Sequence, residues 1–498
     1  MSIASQIDQP AAEPARSAES ARSRLAVNRR TVLGAAAAGG VGIGALRVLV
    51  YPELRRLLDG TRSLAGGRGD WVSPLASEKA RVAHLLRRTT FGATLEDVEQ
   101  AASDGFSRTV DRLLETRPEA PPAPAGAGDP RLSLAQLQLW WVDHILSTST
   151  PFVERMTLFW HGHFTSDYRK VGLQTPFLYW QNLTWRDMAL TDLRSMLMRV
   201  TTDPAMLRYL DLGTSTGQSP NENYSRELME LFSLGVGHFE ENDVRAAAKA
   251  LAGWVEPRPD RTADVVVDPV NHVTRSFPVW DRPATGTFMP RRAYAGGPLA
   301  FLGRTDTYDA QKVIDRILAQ PAAAAFVARK VVQHFVSAQV DGSYVTRLAD
   351  RFRSSRYDVR TLMREVLTSP EFMADQSYRA LVKSPTEFMV HTLKALRAPA
   401  LSRLVVQTAP ALGQVLFDPP DVGGWPNNDA WISSNSVVAR VNFVTAVLGQ
   451  TRSLPPASEA PAHLDTVLGP TSVNLLNATA DDRSRWLLAL ASPEFQLK

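Results

Sequence analysis

Helix starts of one kind recur along this chain and predict a mainly α protein. At these points Ser, Thr or Asp mostly stands directly before Pro. The first residue caps free backbone N–H groups, and proline suits the first helical position because its missing N–H would have no partner there. Apolar residues recur at helical spacing between the starts. The segments are STSTPFVERM, TTDPAMLRYL, LAQPAAAAF, TSPEFMADQ, KSPTEFMV and ASPEFQLK.

Three stretches interrupt this helical pattern. Residues 117–131 are rich in Pro, Ala and Gly and predict a loop, and residues 453–470 predict a linker. Within residues 255–303, the segments ADVVVDPV and GTFMPRRAYAGGPLAFLG are typical of short strands. We therefore predict a single large multi-helix domain over residues 81–498, with a short β-hairpin excursion around 260–303.

The composition excludes several classes of site. The chain has no cysteine, which rules out disulfides, thiolate metal ligands and cysteine nucleophiles. Its formal net charge of +4 is spread along the chain without a Lys/Arg cluster interleaved with aromatic residues. Nucleic-acid binding therefore has no support in the sequence.

The N-terminal region resembles an export signal. Arg29 and Arg30 precede a weakly hydrophobic, glycine-rich run, and this arrangement resembles the twin-arginine type, whose route carries folded proteins. We predict a disordered n-region and signal over residues 1–50 and a linker over residues 51–80. The protein is then expected in the periplasm, the cell envelope or the extracellular space, with an uncleaved signal as its only contact with a membrane.

The segment NENYSRELMELFSLGVGHF, residues 221–239, surrounds apolar residues with ionisable groups. As a helix it aligns Glu222, Arg226 and Glu230 on one face, and its two glycines allow the positive φ that ends a helix. Either these charges form a clamp that fixes helix register, or one carboxylate stays free of Arg226 as a general base or metal ligand. The candidate residues are Glu227, Glu230, Arg226 and His238 for catalysis, and Asn221 and Asn223 for ligand binding.

The segment ERMTLFWHGHFTSDYRK contains a candidate metal site. Glu154 and His161 share a helical face, while His161 and His163 converge on one ligand only if the backbone turns at Gly162. Two imidazoles and a carboxylate form a recognised ligand set for zinc or non-haem iron. The alternative is that the histidines cap the helix end and bond to carbonyl groups. A divalent metal is therefore a candidate cofactor, and the sequence does not identify it further.

The segment FDPPDVGGWPNNDAWISS, residues 417–434, predicts a rigid loop because of its paired prolines and glycines. Loops that present aromatic rings and amides bind sugars and other polar ligands, which makes Trp425, Asn427 and Trp431 candidate ligand-binding residues. The alternative is a loop that plugs a helical bundle with tryptophan. Charged residues elsewhere are interpreted singly as solvated or core residues, and they occur in the segments HLLRRTTFG, ARKVVQHF and VKSPTEF.

These segments together resemble the bacterial proteins grouped as domain of unknown function 1800. The likeness covers residues 80–498 and rests on nine motifs in order: HLLRRTTFG, LFWHGHF, NENYSRELMELFSLGVGHF, DVRAAAKALAGW, FLGR, ARKVVQHFV, KSPTEF, LFDPPDVGGWPNNDAWISS and LASPEF. The resemblance implies a large, mostly helical domain that is frequently exported. It also implies a neighbouring exported protein similar to sulfatases and alkaline phosphatases as a candidate partner. It implies no agreed activity.

Two functions remain open on the sequence. The first is an exported metal- or carboxylate-dependent enzyme that acts on an envelope or extracellular polymer. It requires the imidazoles near residue 160 and the acids near residue 225 to meet in one pocket between helices. The second is a non-catalytic envelope protein that binds or assembles with the sulfatase- or phosphatase-like partner.

Overall fold

The computed structural model describes residues 73–119, 121–124, 132–172, 175–268, 270–464 and 476–498. The predicted n-region and signal lie outside these ranges, as do most of the predicted linker over 51–80 and parts of the stretches 117–131 and 453–470. All described residues belong to one compact unit.

The described residues are mainly helical, as the sequence predicts. The helices of the first half are α1 (Glu78–Thr89), α2 (Leu95–Asp104), α3 (Phe106–Glu115), α4 (Leu134–Ser147), α5 (Pro151–His163), α6 (Tyr168–Val171), α7 (Phe177–Asp187), α8 (Leu193–Thr202), α9 (Pro204–Tyr209), α10 (Asn223–Glu230) and α11 (Glu241–Leu251). Those of the second half are α12 (Ala310–Leu318), α13 (Pro321–Phe335), α14 (Gly342–Ser354), α15 (Val359–Leu367), α16 (Pro385–Ala395), α17 (Ser402–Leu412), α18 (Ser434–Gln450), α19 (Asp482–Ala491) and α20 (Pro493–Gln496).

The predicted β excursion is confirmed as three small antiparallel pairs between α11 and α12. The strands are β1 (Trp254–Val255), β2 (Arg261–Asp268), β3 (Val273–Val279), β4 (Thr287–Phe288), β5 (Leu299–Phe301) and β6 (Arg304–Asp306). β1 pairs with β4, β2 with β3 and β5 with β6. In the longest pair, β2 with β3, Arg261 lies opposite Val279.

The helix starts predicted from capped prolines are confirmed at five of the six segments, where α5, α9, α13, α16 and α20 begin with proline. At α16 the cap is reciprocal: Ser384 accepts from the Glu387 backbone N–H, and the Glu387 side chain accepts from the Ser384 N–H. The prediction was wrong at Ser369–Pro370, which lies in a turn. There the Ser369 hydroxyl donates to Val366 O and accepts from the Phe372 N–H, and these two bonds close a turn after α15.

One large cluster of buried apolar side chains holds the helices together. It includes Trp160 of α5 and Trp185 of α7, and both residues are fully buried. α5 packs against α7 on one side and α1 on another, while α16 packs against α4 and α18. This packing surrounds α5 and α16 with other helices and buries most of their polar side chains. No helix in the described part of the chain is long and apolar enough to cross a membrane.

Candidate functional site

A pocket with a volume of about 100 Å³ lies where segments distant along the chain meet. The ends of α5 and α13, the start of α16, the loop of residues 417–434 and Lys498 form its walls. The predicted ligand-binding residues Trp425, Asn427 and Trp431 line it. Its charged and polar walls are His163, Lys330, Gln333, His334, Ser384, Glu387, Gln414, Asn427, Asn428 and Lys498.

Close backbone contacts hold the loop of residues 417–434 against α5. Gly424 has a φ of 86°, and a Cβ at this position would lie 2.4 Å from the Gly162 carbonyl oxygen. Farther along the loop, the Val382 N–H donates to Asn428 Oδ1 at 2.8 Å. Only glycine fits at position 424 without moving the backbone, so the loop's tryptophans are placed at the pocket by local geometry that the glycine allows.

His161 is a packing residue on the side of α5 that faces this loop. Its Nε2 accepts a hydrogen bond from the Phe417 backbone N–H at 3.0 Å. Its ring lies 5.2 Å from the ring of Trp425, centroid to centroid. Burial lowers the pKa of His161 to about 3, so the imidazole is neutral. With Nε2 occupied by a backbone N–H, His161 positions the loop.

His163 faces a different direction from His161. α5 continues through His163, so the turn expected at Gly162 does not form, and residues two apart on a helix point to different sides. His163 Nε2 donates to the Phe232 carbonyl oxygen at 3.0 Å, because a carbonyl can only accept. Nδ1 therefore carries the lone pair, and it has no hydrogen-bond partner among the described residues. Burial, helped by the charge of Lys330, lowers the pKa of His163 well below its usual value.

Glu387 is the centre of a buried ion network at the pocket floor. Arg155 pairs with Glu387 Oε1, and Lys498 Nζ lies 2.5 Å from the same oxygen. Oε2 accepts from the Ser384 N–H at 2.6 Å. Burial alone would raise the pKa of Glu387, but the charges of Arg155 and Lys498 outweigh it and hold the pKa well below its usual range. The Glu387 side chain is therefore ionised, and Arg155 and Lys498 offset its charge. With so low a pKa it is not suited to act as a general base.

The last residues of the chain reach the pocket by pairing with the segment before α16. Lys498 N donates to Leu381 O at 2.8 Å, and Lys383 N donates to Gln496 O at 2.8 Å. The Lys383 side-chain nitrogen also donates to Phe495 O at 2.7 Å. These bonds fix the backbone that carries Lys498, and its side chain is buried beside Glu387.

Two lysines face the pocket. Lys330 on α13 is half-buried, and burial lowers its pKa. Burial, together with the nearby charges of Arg155 and Arg88, lowers the pKa of Lys498 to about 7, although the Glu387 carboxylate favours the charged amine. Among the side chains of the described residues that line the pocket, only that of Glu387 carries a carboxyl group. The pocket is therefore rich in positive charge.

Glu154, predicted as a metal ligand, lies in a separate buried clamp. Arg186 donates to both of its oxygens, at 2.5 and 3.0 Å, and Trp141 Nε1 donates at 2.7 Å. His144 Nε2 lies 3.3 Å from Oε1. Burial alone would raise the pKa of Glu154, but its bonds to His144 and Arg186 lower it to about 2. These partners make Glu154 a structural anchor between α4, α5 and α7.

In the described part of the chain, no three His, Asp or Glu side chains form a cluster that could hold a metal ion. Glu154 is paired with Arg186, and the imidazoles of His161 and His163 diverge. A divalent-metal cofactor thus stays a prediction from sequence that the described geometry does not support.

The charges of the 221–239 segment form surface pairs outside the pocket. Arg226 Nη2 lies 2.7 Å from Glu241 and 3.4 Å from Glu222. α10 ends at Glu230, earlier than the sequence suggests, and the positive φ predicted for the glycines is present at Gly235 and Gly237, at 84° and 85°. The clamp interpretation agrees with the structure at the pair of Arg226 with Glu222. Glu241 of α11, and not Glu230, supplies the second and shorter ion pair, and the three side chains are partly exposed and not buried.

The other candidates of this segment also lie away from the pocket walls. Glu227 is half-buried, and burial and the charge of Glu230 raise its pKa. His238 is exposed. Asn221 Oδ1 accepts from the Asn223 N–H at 2.9 Å, which closes the turn before α10. The expected meeting of these acids with the imidazoles does not occur in the pocket described here, because none of residues 221–239 lines it. Phe232 O accepts the hydrogen bond from His163 Nε2.

Replacing Arg226 with alanine is expected to lower the free energy of unfolding by at most about 1 kcal/mol, because exposed ion pairs contribute little. The side chains of Arg226, Glu222 and Glu241 are 36%, 37% and 50% exposed. Urea unfolding followed by circular dichroism measures the change. A loss of several kcal/mol would instead show that the clamp stabilises the fold as a buried pair does.

Sequence reasoning missed the residues that give the pocket its charge: Lys330, His334, Glu387 and Lys498. Lys330, His334 and Glu387 stand in the segments ARKVVQHF and VKSPTEF and were interpreted singly, and Lys498, which follows the LASPEF motif, was not among the candidates. No local pattern connects α13, α16 and Lys498. Similarly, Arg88 of the HLLRRTTFG segment lies near Glu387. The sequence signal that could have indicated this pocket was the presence of charged residues in several motifs at once, in HLLRRTTFG, ARKVVQHF and VKSPTEF.

Fold and site together define a class: a mainly α protein with a basic pocket between helices, closed by a tryptophan-bearing loop. The family described as "Protein of unknown function (DUF1800)" has a model that matches residues 84–497. The chain belongs to this family, as the motifs suggested. Comparison with the curated proteins found no match, and comparison with the solved structures found none either.

Proposed function

We propose that this is an exported protein whose pocket binds a polar group of an envelope or extracellular polymer. The observation that carries the proposal is the pocket wall, where Trp425 and Trp431 stand beside the amides of Gln414, Asn427 and Asn428. Aromatic faces next to a few placed polar groups are typical of sites that bind sugars and similar ligands. The export part of the proposal rests on the arginine pair near the N-terminus.

The size and opening of the pocket support binding of a chain end or a substituent. Its volume of about 100 Å³ is below the ~300–1,000 Å³ typical of sites that enclose a whole small molecule. Gln333 and Asn427 on its rim are exposed. A polymer can therefore lie across the rim and insert one group.

An enzyme is a second candidate, and His163 favours it. Its Nε2 hydrogen bond to Phe232 O fixes the tautomer, which leaves a neutral Nδ1 lone pair without a partner among the described residues. A neutral imidazole at a pocket wall can accept a hydrogen bond from a bound ligand, and it becomes a stronger proton acceptor when a ligand offsets the Lys330 charge that helps to lower its pKa. In such an enzyme the base would be an imidazole and not a carboxylate, because Arg155 and Lys498 already pair with the Glu387 carboxylate. A sulfatase- or phosphatase-like partner remains part of the proposal through the family resemblance.

Calorimetric titration with chitobiose, a neutral probe, and trigalacturonate, an acidic probe, tests the binding proposal. We expect one saturable site for at least one probe. Gln333→Ala and Asn427→Ala should each weaken it about 2- to 13-fold, the equivalent of one hydrogen bond. Product analysis after long incubation distinguishes turnover from binding alone.

Gln339→Ala is the matched control, since Gln339 is exposed beyond the end of α13 and outside the pocket walls. It should leave the affinity unchanged. Absence of saturable binding by both probes, or an equal loss in the Gln339 and Gln333 variants, would contradict a ligand site in this pocket.

A further inference from the structure

Cationic side chains outnumber carboxylates around the pocket. Lys330 and Lys498 line it, and Arg88 and Arg155 are both fully buried close to Glu387. Glu387 is already shared between Arg155 and Lys498. Lys330 contacts the face of Phe326 at 5.2 Å and has no carboxylate within salt-bridge distance among the described residues. Positive charge therefore remains uncompensated at this site.

Uncompensated buried charge is unfavourable unless a counter-charge is supplied. Among the described side chains named here, the Glu387 carboxylate on α16 stands beside four cations: Arg88 on α1, Arg155 on α5, Lys330 on α13, and Lys498 just beyond α20. A bound anion would provide the missing charge and favour the protonated amine of Lys498. The pocket also offers neutral hydrogen-bonding groups, Ser384 and Gln333, to anion oxygens.

We propose that the ligand of this pocket carries a compact anionic group, a carboxylate, sulfate or phosphate, that binds where Lys330 and Lys498 line the wall. The inference rests on the proposed function in taking this pocket as the ligand site. It narrows the ligand to an acidic polymer, such as one with uronate, sulfate-ester or phosphate-ester groups. Lys330 is half-buried and reaches the rim, so the anion has a route from solvent.

Titration of the folded full chain with sodium sulfate, sodium phosphate and sodium acetate at constant ionic strength tests this inference. We expect one saturable site, and the tightest of the three ions identifies the anion class. Lys330→Gln should weaken binding about tenfold or more, since one ammonium contact is lost. Lys79→Gln is the control, because it removes the same charge from a side chain that is 61% exposed and lies outside the pocket walls.

Binding of sulfate should weaken as the pH rises from about 6 to about 8.5, through the range in which a buried lysine of lowered pKa loses its proton. The groups that face Lys498 are Glu387 on α16, Arg155 on α5, Arg88 on α1 and His334 on α13. Of these, burial keeps His334 neutral over this range. The Lys498→Met variant should bind sulfate more weakly than the wild type and lose this pH dependence.

The outcomes separate this inference from the proposed function. Failure of all three ions to saturate a site, or an equal loss in the Lys79 and Lys330 variants, would overturn the anionic ligand. Chitobiose binding that is sensitive to Gln333→Ala would then still support the polymer site. Ion binding without binding of either oligosaccharide would support the anion and contradict the polymer. If Lys330→Gln unfolds the chain, Lys330→Arg, which keeps the charge, must restore folding and retain sulfate binding.

Discussion

Glu154→Gln is expected to lower the free energy of unfolding by about 3–5 kcal/mol, because it leaves the Arg186 guanidinium buried without its counter-charge. Glu154 is fully buried, and Arg186 is only 2% exposed. Trp141 and His144 also lose a charged acceptor. Chemical denaturation at neutral pH measures the change, and Glu222→Gln, a half-exposed carboxylate paired with Arg226, is the matched control.

The same clamp should make the protein sensitive to acid. Since the folded-state pKa of Glu154 is about 2 and an unfolded glutamate titrates near pH ~4.3, its contribution is present above that value and disappears as the pH falls towards 2. The stability difference between wild type and Glu154→Gln should therefore shrink over this acid range. A difference of under 1 kcal/mol at neutral pH, or one equal to that of the Glu222 control, would contradict the clamp.

Glu387→Gln is expected to destabilise the protein by a similar amount, about 3–5 kcal/mol, and to strengthen anion binding. The substitution removes the carboxylate shared by Arg155 and Lys498, so two buried cations lose their partner. An added anion can then take its place, and sulfate should raise the variant's stability more than that of the wild type. Thermal unfolding with and without sulfate measures both effects.

Glu365→Gln is the control for this second prediction. Glu365 pairs with Arg351 at 3.0 Å, and the two side chains are 41% and 60% exposed. Its loss changes the net charge equally and should cost at most about 1 kcal/mol. If sulfate stabilises both variants to the same extent, the effect comes from general salt and the pocket does not attract anions.

The helical class was readable from the sequence because its cause is local. A side chain that caps free N–H groups and a proline at the first helical position act within one turn. Thus the starts at Pro204 and Pro385, where Asp203 and Ser384 cap the helix, could be predicted, while Pro151 begins α5 without a side-chain cap bond. At Pro370 a distant helix takes part, since His84 Nε2 of α1 donates to Phe372 O at 3.0 Å within a segment that is folded as turns.

The candidate site could be predicted only in part. Trp425, Asn427 and Trp431 stand together in one rigid loop, and all three line the pocket. His163 was recognised through its aromatic segment, but the expected turn at Gly162 does not form. A glycine permits a turn, whereas the packing of α5 against α1 and α7 favours a continued helix.

By itself the sequence determined the family, the mainly α class, the β excursion and the tryptophan loop, because each depends on short-range chemistry between neighbours in the chain. Only the tertiary structure decided which charges meet. It paired Glu154 with Arg186, and it set Glu387 beside Arg155 and Lys498, although Lys498 is 111 residues from Glu387 in the chain and Arg155 is farther away still. Burial of these pairs depends on helix packing, and a pattern of residues along the chain does not specify which distant helix supplies the counter-charge.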